Sequence, residues 1–82
     1  FEEKISDTHY RFSAFIEIDY INEQYHLNIP ESEDYETLGG LVLYKLANIP
    51  EKNSKLKTEG FTFVVEEVTD RRIELVSVYI KS

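Results

Sequence analysis

The chain has 82 residues, enough for one modest core and no second domain. Its net charge of −7 repels phosphate and argues against nucleic-acid binding, and its lack of cysteine excludes disulfides, thiolate metal sites and cysteine nucleophiles. The whole charge excess lies in one window: no base occurs between Arg11 and Lys45, which hold Glu17, Asp19, Glu23, Glu31, Glu33, Asp34 and Glu36 between them.

No apolar run approaches the roughly 20 residues of a bilayer span, and no charged-then-apolar leader is visible. Methionine is absent even at position 1, so the chain reads as a piece of a longer protein. Residues 1–8 are polar and without period. They read as a linker or tail from an upstream domain, with the domain proper at 9–82.

From Tyr10 the pattern alternates. Tyr10, Phe12, Ala14, Ile16 and Ile18 share one side, which predicts a half-buried strand. Ala14 is small, so another element is expected to pack closely there, and Phe15 breaks the polar side to meet a second element. Asp19 has the chemistry of a helix N-cap, and Tyr20–Leu27 follow as a short helix with Ile21 and Tyr25 on one face. Asn28 suits its end, and Pro30 pushes Ile29 to extended geometry.

A second helix is predicted from Tyr35 to about Asn48, capped by Ser32 or Asp34, with Leu38, Leu41, Val42 and Leu46 as its apolar stripe. Gly39 and Gly40 fall inside it, each costing about 1 kcal/mol relative to Ala. Such a cost points to a close backbone approach. The helix stops before Ile49-Pro50. Three strands follow: Lys55–Thr58, Phe61–Thr69 and Ile73–Ile80. Thr69–Arg72 connect the last two. Ile73 is out of phase with Val76, Val78 and Ile80, which predicts a bulge near Glu74-Leu75. The fold class is therefore α+β, with two helices on one face of a small, mostly antiparallel sheet in the order β-α-α-β-β-β.

Chemical motifs are sparse. Glu31, Glu33 and Asp34, with Glu36, are the candidates for a divalent cation, whose preferred ligands are carboxylate oxygens. The calcium-loop spacing is missing, and first-turn acids are better explained by the helix dipole. Gly39-Gly40 lacks the strand-to-helix setting of a phosphate cradle. His9 and His26 lack metal-ligand spacing, and Ser13, Ser54 and Ser77 lack a nucleophile-elbow context. Lys55, Lys57, Arg71 and Arg72 read as solvated points or docking sites for an acidic partner. No catalytic residue emerges.

The stretch Glu33-Asp34-Tyr35-Glu36-Thr37-Leu38-Gly39-Gly40-Leu41-Val42-Leu43, followed by Ile49-Pro50, resembles the CorC/HlyC transporter-associated domain, the C-terminal domain of hemolysin-C-like magnesium and cobalt efflux proteins. Tyr10–Ala14, Glu17–Glu23, Leu27–Pro30, Gly60–Val65 and Arg71–Ile73 with Val76 and Val78 fit the same family. The wording of the first strand and helix looks most like the gliding-motility-associated GldE branch of Bacteroidetes. The motif positions are Asp34, Thr37, Gly39, Gly40, Pro50 and Gly60. One departure is visible: Glu51–Ser54 replaces a Gly-Glu pair common after the Pro, and Asn53 tolerates the left-handed turn this requires.

The resemblance implies a non-catalytic accessory or regulatory domain at the cytoplasmic face of the bacterial inner membrane. Its partners would be the paired CBS module and membrane domain of its parent chain, or a second copy in a homodimer. It implies neither nucleic-acid binding nor membrane insertion by this piece. It also implies fold kinship with one half of PCMH-type FAD-binding domains. A ligand-binding domain for flavin adenine dinucleotide or another adenine nucleotide is thus the alternative, although no basic or glycine-rich pyrophosphate site supports it.

Overall fold

In a computed structural model describing residues 1–81, the chain forms β1 (Glu2–Ser6), β2 (His9–Ser13), α1 (Ile18–Tyr25), α2 (Leu38–Leu46), β3 (Lys55–Thr58), β4 (Phe61–Val68) and β5 (Ile73–Ile80). The strands make one sheet in the order β1-β2-β5-β4-β3, with every neighbouring pair antiparallel. The α+β class and antiparallel sheet are as expected. The element order gains a strand, because Glu2–Ser6, expected as a tail, pair with β2. All five β1 residues are exposed, so the strand carries no apolar alternation for the sequence to show.

One sheet face supplies Tyr10 and Phe12 from β2, Phe61, Phe63 and Val65 from β4, and Val76 and Val78 from β5. The helices close over it with Ile18, Ile21, Leu38, Leu41 and Val42. The expected bulge is present. The register Val65↔Val76, Glu67↔Leu75, Val68↔Ile73 leaves Glu74 of β5 unmatched and so returns Ile73 to the core face. It also leaves Glu66 of β4 unmatched, a second irregularity that the sequence pattern does not show.

The first strand is shorter than its alternation suggests. After Ser13 the chain turns, with the Ile16 amide donating to the Ser13 carbonyl at 3.2 Å. Ile16–Ile18 then zip against Glu36–Leu38: Ile18 N donates to Glu36 O at 2.9 Å and Leu38 N to Ile16 O at 3.0 Å. This short ladder holds residues 36 and 37 extended, so α2 starts at Leu38 and not at Tyr35. Its cap is Thr37, whose hydroxyl accepts from Gly40 N at 3.0 Å; neither Ser32 nor Asp34 caps it. Similarly, Glu17 is the N-cap position of α1, without a side-chain bond, and Asp19 sits inside the first turn. There its charge still opposes the positive end of the helix dipole.

Both helices end on non-glycine residues in the left-handed region, His26 (φ 56°) and Ala47 (φ 68°), replacing Asn28 and Asn48 as the expected ends. After α1, the Asn22 side chain clamps the Ile29 backbone by two 2.9 Å hydrogen bonds, which seats Ile29 in the core. Asn53 takes the left-handed conformation (φ 72°) its position calls for, and the Thr69–Arg72 connection closes through Thr69 N to Arg72 O at 2.9 Å. Among the described residues no helix is long and apolar enough to cross a membrane.

Candidate docking groove

The close approach expected at the two glycines occurs at Gly39. A Cβ added there would lie 2.8 Å from the Ala14 Cβ and 3.1 Å from the Ala14 carbonyl oxygen. The Gly39 amide donates to that same carbonyl at 2.9 Å. Glycine therefore lets the first turn of α2 press on the turn after β2, and the small Ala14 is the other half of the contact. Gly40 differs: its amide is the one held by the Thr37 cap. Both lie in the first turn of α2 and not mid-helix.

This junction opens a groove of about 210 Å³. Its floor is Ala14, Gly39, Gly40 and Ile73, and its walls are Phe15, Leu43, Ile49 and Arg72. Phe15, Leu43 and Ile49 are exposed large apolar side chains. The Arg72 guanidinium lies 4.7 Å from the Phe15 ring centroid, within cation–π range. Its Nε donates to Glu74 at 2.8 Å, which orients the guanidinium along the rim. The lining is apolar and the one charged group is already neutralised. Such a surface suits an apolar side chain of a partner better than a phosphate or a metal ion.

Thr37, Gly39 and Gly40 of the sequence motif line this groove. Asp34 does not: it lies in the turn closed by Ser32, whose hydroxyl accepts from the Asp34 amide at 3.0 Å. Pro50 follows the groove residue Ile49, and Gly60 (φ 92°) makes the β3–β4 turn at another edge. Phe15 and Arg72 are the groove residues whose meeting has no sequence signal, being 57 positions apart.

Of the cation candidates, Glu31 joins Glu17, Asp19 and Glu36 around a polar cleft of about 150 Å³, whereas Glu33 and Asp34 are not part of it. Glu31 also accepts from Asn22 at 3.2 Å. Tyr35, beside this cleft, donates to Pro30 O at 3.1 Å, and burial pushes its hydroxyl above the usual phenol range. Among the described residues no group of three or more His, Asp or Glu is placed to hold a metal ion.

The outer sheet face carries a polar chain across three strands. Ser77, fully buried, donates to Glu66 at 2.6 Å and accepts from His9 Nε2 at 3.3 Å, while His9 stacks on Tyr79. The hydroxyl proton is committed to a carboxylate. That is the reverse of a nucleophile, whose proton a histidine takes.

The comparisons with known proteins agree with the motif. The chain is 26% identical over 77 residues to the magnesium and cobalt efflux protein CorC of Buchnera aphidicola, which covers 94% of this chain and 26% of that protein. It is 36% identical over 45 residues to the polyamine export protein of Escherichia coli K12, covering 55% of this chain and 10% of that protein. The chain thus spans about a tenth to a quarter of the length of these relatives. Among solved structures, the CorC-associated region of a putative Mg²⁺ and Co²⁺ transporter from Neisseria meningitidis superposes with a TM-score of 0.85 at 28% identity, with 98% of both chains covered. The family signature described as the transporter associated domain, CorC_HlyC, matches residues 3–82, and this chain belongs to that family.

Proposed function

We propose that this chain is a non-catalytic accessory and regulatory domain of a larger membrane export protein. The parent would carry a paired CBS module and move magnesium or cobalt, as the CorC relative's name says of that protein; the polyamine exporters carry the same kind of domain on another cargo. The parent's membrane domain and CBS module are its partners, at the cytoplasmic face of the bacterial inner membrane. In this reading it belongs to the GldE-like branch of Bacteroidetes, which the wording of β2 and α1 resembles. The observation that carries the reading is the groove: Thr37, Gly39 and Gly40 of the family motif line an apolar recess whose walls face water.

Its occupant in this reading is an apolar side chain of the parent's own CBS module. Titration calorimetry between this domain and the separately expressed CBS module tests it. The expected result is a binding heat that Phe15→Ala with Leu43→Ala removes while the circular dichroism spectrum is kept. Binding that survives the double variant overturns the groove as the contact. No heat with the unmodified pair overturns the reading itself.

A further inference from the structure

The groove lies between α2 and the sheet; the β1 edge is held differently. β1 pairs with β2 alone, and its five residues are all exposed. Among the described residues, the side-chain hydrogen bonds that tie β1 to any element other than β2 all converge on one carboxylate. Glu2 accepts from Tyr20 at 2.8 and 3.2 Å and from Tyr25 at 2.5 Å, both on α1. Tyr25 in turn packs edge-on against Tyr10 at 5.3 Å between ring centroids. The ladder with β2 is itself broken by a register shift between Lys4 and Ser6. Phe1 and Ile5, the two large apolar side chains of this segment, face water.

We propose that β1 is a releasable strap: it opens from β2 as a unit while the rest of the domain stays folded, and the Glu2–Tyr20–Tyr25 cluster is its latch. No β1 side chain belongs to the core, so opening takes none out of it, and its free energy lies below that of global unfolding. What opening does expose is the hydrogen-bonding edge of β2, His9–Ser13. A free edge of this kind accepts an extended segment as an added strand. The strap also lies at the start of the domain, where the accessory-domain reading puts the link to the parent's other modules. The inference deepens that reading, but its test needs only this chain.

Amide hydrogen exchange followed by NMR reads the opening directly. Hydrogen bonds to a charged carboxylate are strong, so Glu2→Ala should speed exchange of the β1 amides and their β2 partners roughly tenfold or more. The amides of Phe63, Val65 and Val78 should keep their wild-type rates. Because the two tyrosines act through Glu2, the triple variant E2A/Y20F/Y25F should release β1 no further than Glu2→Ala. Glu3→Gln, outside the latch, removes only an exposed 3.8 Å ion pair to Arg11 of β2, which contributes little, and should leave the β1 rates near wild type. Exchange of β1 in step with the core overturns the strap. A larger release in the triple variant, or an equal one in Glu3→Gln, overturns the latch.

Discussion

The two helices are fastened to the same sheet by opposite means. α2 buries Leu38, Leu41 and Val42 in the common core and adds a close backbone contact: Gly39 lies against Ala14, and its amide donates to the Ala14 carbonyl. α1 buries Ile18 and Ile21 in the common core, but its outward face reaches the sheet edge through the hydroxyls of Tyr20 and Tyr25. A close-packed backbone contact has no slack, since an added methyl group must move main chain. An exposed carboxylate with two hydroxyls can part and reform without disturbing the core. The domain therefore has one rigid flank, which carries the groove, and one adjustable flank, which carries the strap.

The largest expected effect breaks the rigid flank. Gly39→Ala places a Cβ within 2.8 Å of the Ala14 Cβ. Overpacking of this kind costs about 1–3 kcal/mol, offset in part by the better helix propensity of Ala, about 1 kcal/mol. A net loss of up to about 2 kcal/mol should lower the thermal midpoint by up to roughly 16 °C for a domain of this size. Ala14→Gly in the Gly39→Ala background should recover part of the loss, because the 2.8 Å clash goes while the 3.1 Å approach to the Ala14 carbonyl stays. Full additivity of the two changes would show that the contact is not what holds α2.

Next in size is the cap. Thr37→Ala leaves the Gly40 amide without its side-chain acceptor and should cost about 1 kcal/mol by denaturant melt. Thr37→Ser keeps the oxygen and should recover most of it. Asp34→Ala should have no comparable effect, because Asp34 does not cap α2. A large loss at Asp34 with none at Thr37 would restore the earlier start of the helix.

The sequence alone favours that earlier start, and the reason it fails is physical. Local propensity sees the acids at 33–36 as a first helical turn. The Ile16–Ile18 segment, 20 residues earlier in the chain, instead pairs with Glu36–Leu38 and holds residues 36 and 37 extended. Contacts between segments so far apart leave no periodicity. Where a signal is local, the sequence reads well. Strands β3 to β5 follow their alternation, Asn53 takes its left-handed turn, and Ile73 announces its bulge by falling out of phase. The glycine pair and the small Ala14 pointed to one close approach, which is half of the groove. The other half, Phe15 beneath Arg72, and the whole of the latch depend on residues with ordinary surface chemistry meeting across the fold.

On the groove wall the expected stability effect is smaller still. Phe15 is half exposed, and its ring contributes the cation–π contact to Arg72. Phe15→Ala should therefore cost below about 1 kcal/mol by thermal melt. A loss above about 3 kcal/mol would make Phe15 a core residue and not a docking one.

The smallest effect sharpens the adjustable flank through its charge. Hydrogen bonds from Tyr25 and then Tyr20 hold the Glu2 carboxyl below its ordinary value. A depressed carboxyl pKa stabilises the folded state above its unfolded value, and that contribution is lost as pH falls through the folded one. The same bond pushes the Tyr25 hydroxyl up to about 12, so the donor stays protonated until strongly alkaline conditions. The latch is thus intact across neutral pH and weakens in acid, where Glu2 protonates. By NMR, the Glu2 carboxyl carbon should titrate below the ordinary value of 4.5. Tyr25→Phe should return it part of the way, and Tyr25→Phe with Tyr20→Phe nearly all of it. The tyrosine ring shifts should change over the same acid range. The Gly39 and Ala14 resonances should stay still through that titration, because their contact contains no ionisable group. Movement of both flanks together would mean that the domain responds to acid as one body, and the contrast between a rigid and an adjustable side would fall.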